Sequence, residues 1–135
     1  MKRLKGANEM NDKLFTIFEL QKKFNKSVGV DTDEISKDEQ SQQQWILNYC
    51  RAVQQEVSEL VDCCKWKWWA SYQSFDKQNA RVEVVDLVHF VISLAQVLGM
   101  TPDDLYQSYL KKNEINFKRQ ENGYSVKDNN DCKGI

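Results

Sequence analysis

The chain has 135 residues, with 19 Lys and Arg against 20 Asp and Glu and a net charge of −1. That length suits one domain with a sizeable core, and the balanced charge gives no whole-chain signal for binding nucleic acid or a membrane surface. One proline and five glycines among long periodic stretches point to helices rather than many short strands.

Residues 1–9 are polar and read as loose. A first helix is expected from about Met10 to Lys26, because Leu14, Ile17, Phe18 and Phe24 fall on one face at helical spacing. Gln21 and Asn25 lie in the middle of that face. Buried amides need partners, and either a neighbouring helix or a ligand read through hydrogen bonds supplies them. Residues 27–35 read as a loop. Ser36 with Glu39 has the spacing of a capping box, so a second helix is expected from Lys37 to about Cys64. Its apolar face carries Trp45, Tyr49, Ala52, Val53, Leu60 and Cys63, and also Glu56 and Glu59. Residues 65–78, KWKWWASYQSFDKQ, form a connection too long and too aromatic for a simple linker, which suggests a binding loop.

The third helix is expected from about Asn79 to Leu98, apolar nearly all round and therefore central. Glu83, Asp86, His89, Ser93 and Gln96 interrupt it, and it falls short of a membrane span. Gly99 is a natural stop, and Thr101-Pro102-Asp103-Asp104 opens the fourth helix with an N-cap, a proline and two acids. That helix runs to about Arg119, and the tail after Gly123-Tyr124 is polar and reads as mobile. No internal repeat divides the chain, so residues 1–135 read as a single domain. Cys50, Cys63, Cys64 and Cys132 form no C-x-x-C pair and His89 is the sole histidine, which argues against zinc. With no apolar leader at the N-terminus, reduced thiols in a cytoplasmic protein are expected.

Two acidic pairs carry the chemistry. Glu56 and Glu59 are three apart on the second helix, and Glu83 and Asp86 are three apart on the third, beside Leu87, Phe90, Leu94 and Val97. Four like charges turned toward a core repel and lose hydration, so the cluster calls for cations. All-oxygen ligands suit Mg²⁺, with Mn²⁺ as the alternative, and such sites leave positions for water and substrate phosphates. Solvated pairs on outward-rotated helices are the plainer arrangement. Lys112, Asn116 and Arg119 recur at i, i+4 and i+7 on the face of Leu105 and Tyr109, where Lys and Arg suit phosphate oxygens. Phe90 and Trp68 offer flat surfaces for a base, although Phe90 taken by itself is better explained by core packing.

These motifs resemble the all-α dimeric dUTPases, within the MazG-like nucleotide pyrophosphohydrolases. The superfamily's E-x-x-E and E-x-x-D stand here as Glu56-Val57-Ser58-Glu59 and Glu83-Val84-Val85-Asp86. Phe18-Glu19-Leu20-Gln21 with Asn25 is similar to the segment that reads uracil. Lys65-Trp66-Lys67-Trp68-Trp69 is similar to the tryptophan-rich loop, and Lys112-Asn113 through Asn116, Arg119-Gln120 and Gly123-Tyr124 to the phosphate-binding block. One departure is Gln55, where many relatives carry Glu. The resemblance implies an all-α MazG-like four-helix bundle that forms a homodimer. It implies Mg²⁺ on Glu56, Glu59, Glu83 and Asp86, and base or sugar contacts from Gln21 and Asn25. It places Phe90 on the base with His89 beside it, and Trp68 and Lys65 at the pocket. Lys112, Asn116, Arg119 and Tyr124 would take the phosphates and sugar.

The implied reaction is hydrolysis of dUTP, and of dUDP, to dUMP, with Mg²⁺ neutralising the polyphosphate and acidifying water, and Glu56 taking the proton. Lys112 and Arg119 would stabilise charge developing on the phosphates. An amide such as Gln21 can match either uracil or cytosine, so dCTP or a modified pyrimidine nucleotide stands as an alternative. A helical binding protein without turnover is the rival from another class. Neither nucleic acid nor membrane is expected as a partner.

Overall fold

The computed structural model describes residues 12–125 and 127–135; Met10 and the N-terminal stretch expected to be loose lie outside them. Among the described residues there are five helices and no strand: α1 Lys13–Ser27, α2 Thr32–Ile35, α3 Glu39–Asp62, α4 Lys77–Val97 and α5 Pro102–Glu121. The all-α class follows directly. Contacts group into two compact units, one ending at Gly99 and the other spanning Met100–Ile135.

Helix starts are set by short acidic or hydroxyl caps that satisfy the free N–H groups of the first turn. Asp12 accepts from Phe15 N at 3.1 Å in α1, and Asp76 accepts from Asn79 N at 2.9 Å in α4. In α5 the capping box is complete: Thr101 Oγ1 accepts from Asp104 N at 3.1 Å and Asp104 Oδ2 accepts from Thr101 N at 2.8 Å. The Ser36–Glu39 box is not formed. Asp38 caps α3 instead, accepting from Ser41 N at 2.9 Å, while the Ser36 hydroxyl donates to Asp33 O at 2.8 Å at the end of α2. An aspartate two residues nearer the helix is the better acceptor. The expected loop 27–35 thus contains a one-turn helix, and α4 begins two residues before Asn79. Gly99 terminates α4 at φ +74°, the left-handed conformation that glycine takes freely.

In the first unit α3 and α4 make the broadest contact, and α1 and α2 also pack on α4. Ile35, Tyr49 and Val97 form the buried centre, flanked by Val30, Trp45, Ile46, Phe90 and Leu94. α4 is buried mainly at its C-terminal end, at Ile92, Ser93, Ala95, Gln96 and Val97, with Glu83 buried further back, whereas Val82, Val84, Val85, Val88 and Val91 stay exposed.

A polar seam joins α1 to α4. Gln21 Nε2 donates to Asn25 Oδ1 at 3.0 Å, and Asn25 Nδ2 donates to Ser93 Oγ at 3.1 Å. Gln96 Nε2 donates to the Phe18 carbonyl at 2.8 Å. Asn25 is 3% exposed, and no buried side-chain polar atom among the described residues lacks a partner. Asn25→Ala strands Gln21 Nε2 and leaves a cavity at the α1–α4 contact. We expect it to lower stability by about 1–3 kcal/mol, read from the urea midpoint at unchanged m-value.

Candidate metal centre

α3 and α4 face each other along the length that holds the acidic residues. Glu56, Glu59 and Glu83 each offer a carboxylate oxygen, and these oxygens all lie within 4.8 Å of one another. Glu83 is buried at 8% exposure, Glu56 is half-buried and Glu59 is exposed, so the cluster opens to solvent on one side. Asp86 is half-buried and outside that close group, although its charge acts on Glu56. Desolvation pushes the Glu56 carboxyl up to about 7; hydrogen bonding with Glu83 and Glu59 adds to the rise, followed by the negative charges of Glu59 and Asp86. Proton sharing of this kind is what crowded carboxylates do when no cation compensates them. Three convergent oxygen donors without sulfur or imidazole fit a hard divalent cation.

Beside the acids is a cavity of about 240 Å³ lined by Glu59, Asp62, Cys63, Asp76, Asn79 and Glu83. Asn79 Nδ2 donates to Glu83 Oε1 at 3.1 Å and reaches Cys63 Sγ at 3.3 Å. Sequence reasoning placed Cys63 on the face of Glu56 and Glu59 but missed Asn79 as a neighbour of the acids. The available signal was the i, i+4 spacing of Asn79 and Glu83, which puts both on one face.

The other anticipated site residues are distributed more widely. Gln21 and Asn25 hydrogen-bond along the α1–α4 seam, Gln21 to Asn25 and Asn25 to Ser93. Phe90 packs on Tyr49, with ring centroids 6.1 Å apart, and His89 is exposed, its carbonyl accepting from the Ser93 hydroxyl. Lys65 is exposed and Trp68 is 89% exposed, its ring edge-on to Trp69 at 5.3 Å. The aromatic loop is ordered from below: Trp66 Nε1 donates to Asp62 Oδ1 at 2.9 Å and Lys67 N donates to Gln73 Oε1 at 2.6 Å.

In the second unit the tail returns to α5. Arg119 Nε donates to Asp131 Oδ2 at 2.8 Å, with a second prong from Nη2 to Oδ1, and Lys112 Nζ donates to Cys132 Sγ at 3.0 Å. The Arg119 guanidinium also lies 5.8 Å from the centroid of the Tyr124 ring. Pairing with Arg119 holds the Asp131 carboxyl below its ordinary range. Asn116 is exposed.

Residues 13–98 and 92–124 match the dUTPase family. The chain belongs to that family, of the all-α type that the helices define. Among curated proteins it is similar to the dCTP pyrophosphatase of Enterobacteria phage T4, at 30% identity over 80 residues, which is 59% of this chain and 40% of the relative. It is also similar to the dCTP pyrophosphatase of Enterobacteria phage LZ5, at 35% identity over 49 residues, 36% of this chain and 28% of the relative. The chain thus matches well under half the length of either relative. No solved structure matches it.

Proposed function

We propose that the protein is a divalent-cation-dependent pyrophosphohydrolase of pyrimidine deoxynucleoside triphosphates, with dUTP as substrate and dUDP as a second one. The observation that carries this reading is the convergence of Glu56, Glu59 and Glu83 from two packed helices in a chain of the dUTPase family. A second reading, dCTP hydrolysis, is favoured by the phage relatives, both dCTP pyrophosphatases.

Glu56, Glu59 and Glu83 hold the cation, Mg²⁺ or Mn²⁺, with Asp86 as a further acid near Glu56. A bound cation supplies positive charge to the polyphosphate and lowers the pKa of water. Glu56, half-buried between Glu59 and Glu83, is assigned the proton of the attacking water. Buried Glu83 fixes the inner edge of the set and exposed Glu59 its solvent edge. Roles for Lys112, Asn116, Arg119 and Tyr124 on phosphates and sugar, and for Gln21, Asn25, Lys65, Trp68, His89 and Phe90 on the nucleoside, rest on the sequence resemblance. A second copy of the chain is proposed to cover the exposed valines of α4, giving a homodimer; sedimentation equilibrium at the monomer mass of 15.9 kDa would remove that part.

The test is pyrophosphate release from dUTP, dCTP and dTTP, and phosphate release from dUDP, with Mg²⁺. Preference for dUTP with cleavage of dUDP supports the first reading, and preference for dCTP moves the assignment to the second. No turnover by folded, cation-loaded protein leaves a binding protein.

A further inference from the structure

Glu83 is buried, and a buried carboxylate among like charges needs both a hydrogen-bond donor and a fixed rotamer to keep its oxygens aimed. The donor is Asn79, one turn earlier on α4. Its Nδ2 carries two hydrogens, and the contacts at 3.1 Å to Glu83 Oε1 and 3.3 Å to Cys63 Sγ use both. Cys63 is the C-cap residue of α3 and is 4% exposed, so the amide is anchored on a buried side chain. Its carbonyl accepts from Asp76 N at 2.8 Å, and Asp76 Oδ1 in turn accepts from Asn79 N at 2.9 Å. The end of α3, the start of α4 and the inner acid are therefore joined through one amide side chain.

The chemistry of that donor matters. A lysine or arginine in its place would orient Glu83 but also cancel the charge that attracts a cation. A neutral amide orients the carboxylate and leaves its charge available. The same contacts close the base of the aromatic loop, so the loop and the inner acid share a fixed point.

We propose that Asn79, braced by Cys63, is a positioning residue that holds Glu83 for cation binding. This rests on the reading of Glu56, Glu59 and Glu83 as the cation site, and the experiment separates the two. Mn²⁺ binding to the full chain is measured by titration calorimetry for the wild type, Glu83→Gln, Asn79→Ala and Cys63→Ala, with circular dichroism on each. Wild-type binding that is lost in Glu83→Gln supports the site. Asn79→Ala is expected to weaken Mn²⁺ binding by about 10–100-fold with helix content retained. Cys63→Ala, which frees the amide without removing it, is expected to lose less. Folded Asn79→Ala that binds within about twofold of the wild type overturns the positioning role and leaves the site standing. Should Asn79→Ala not fold, unchanged affinity in Cys63→Ala overturns it. Absence of Mn²⁺ binding in the wild type overturns both.

Discussion

Glu83→Gln is expected to lower pyrophosphate release on the order of 10³-fold or more while raising the thermal midpoint of the cation-free protein. A 10³-fold loss corresponds to about 4 kcal/mol in the barrier. Both effects come from one change. The amide keeps the size of the side chain, and its oxygen can still accept from Asn79. What disappears is a buried negative charge within reach of Glu56 and Glu59. In the cation-free protein that charge costs stability through desolvation and repulsion. In the reaction the same charge holds the cation. A variant that is more stable but inactive would identify Glu83 as a residue kept for function. Loss of activity together with a lower midpoint would instead mark a structural residue and sink the assignment.

The second large effect is a reversal of pH dependence by Mg²⁺. Without a cation the Glu56 carboxyl is raised from 4.5 to about 7, chiefly by desolvation and then by its carboxylate neighbours. Between those values the folded chain binds more protons at this site than the unfolded chain does. The stability associated with that proton is fully present below about 4.5, declines as pH rises through about 7 and then levels off. With saturating Mg²⁺ the sign inverts, because binding requires the deprotonated acids and grows stronger as they lose protons. Thermal midpoints from about pH 5 to about pH 9, with EDTA and with Mg²⁺, should therefore diverge as pH rises. Parallel profiles in the two series would show that the proton and the cation do not compete for Glu56.

The parts of the fold legible in the sequence were those with a strong local cause. Thr101-Pro102-Asp103-Asp104 specifies its helix start with four residues, and all of the expected features are present. Gly99 stops α4 as its position suggests. Asp38 and Asp76 were passed over because Ser36 and Asn79 also satisfy common boundary patterns, and the sequence pattern does not rank two candidate caps a few residues apart. The one-turn helix α2 is too short to show a period. The convergence of Glu56, Glu59 and Glu83 was readable because charged residues stood on apolar stripes, although only Glu83 is buried and Glu59 stays exposed. The separation of Asp86 from the close group was not readable, since three-residue spacing places two side chains on one face without fixing their depth. For Gln21 and Asn25 a neighbouring helix was the favoured partner and a ligand the alternative, but the sequence could not name the neighbour, since Asn25 reaches Ser93, 68 residues further on.

The exposed aromatic loop gives the protein an optical handle. Trp45 packs at the core, while Trp66, Trp68 and Trp69 sit in the connection between α3 and α4 at 45%, 89% and 60% exposure. Three of the four indoles therefore emit from a watery environment that an aqueous quencher reaches, and the fourth from a partly buried one that it reaches less. An occupant laid over the loop, a nucleotide or a second copy, is expected to shift and shield the first emission more than the second. The chain thus reports events at that loop in its own fluorescence, without a label.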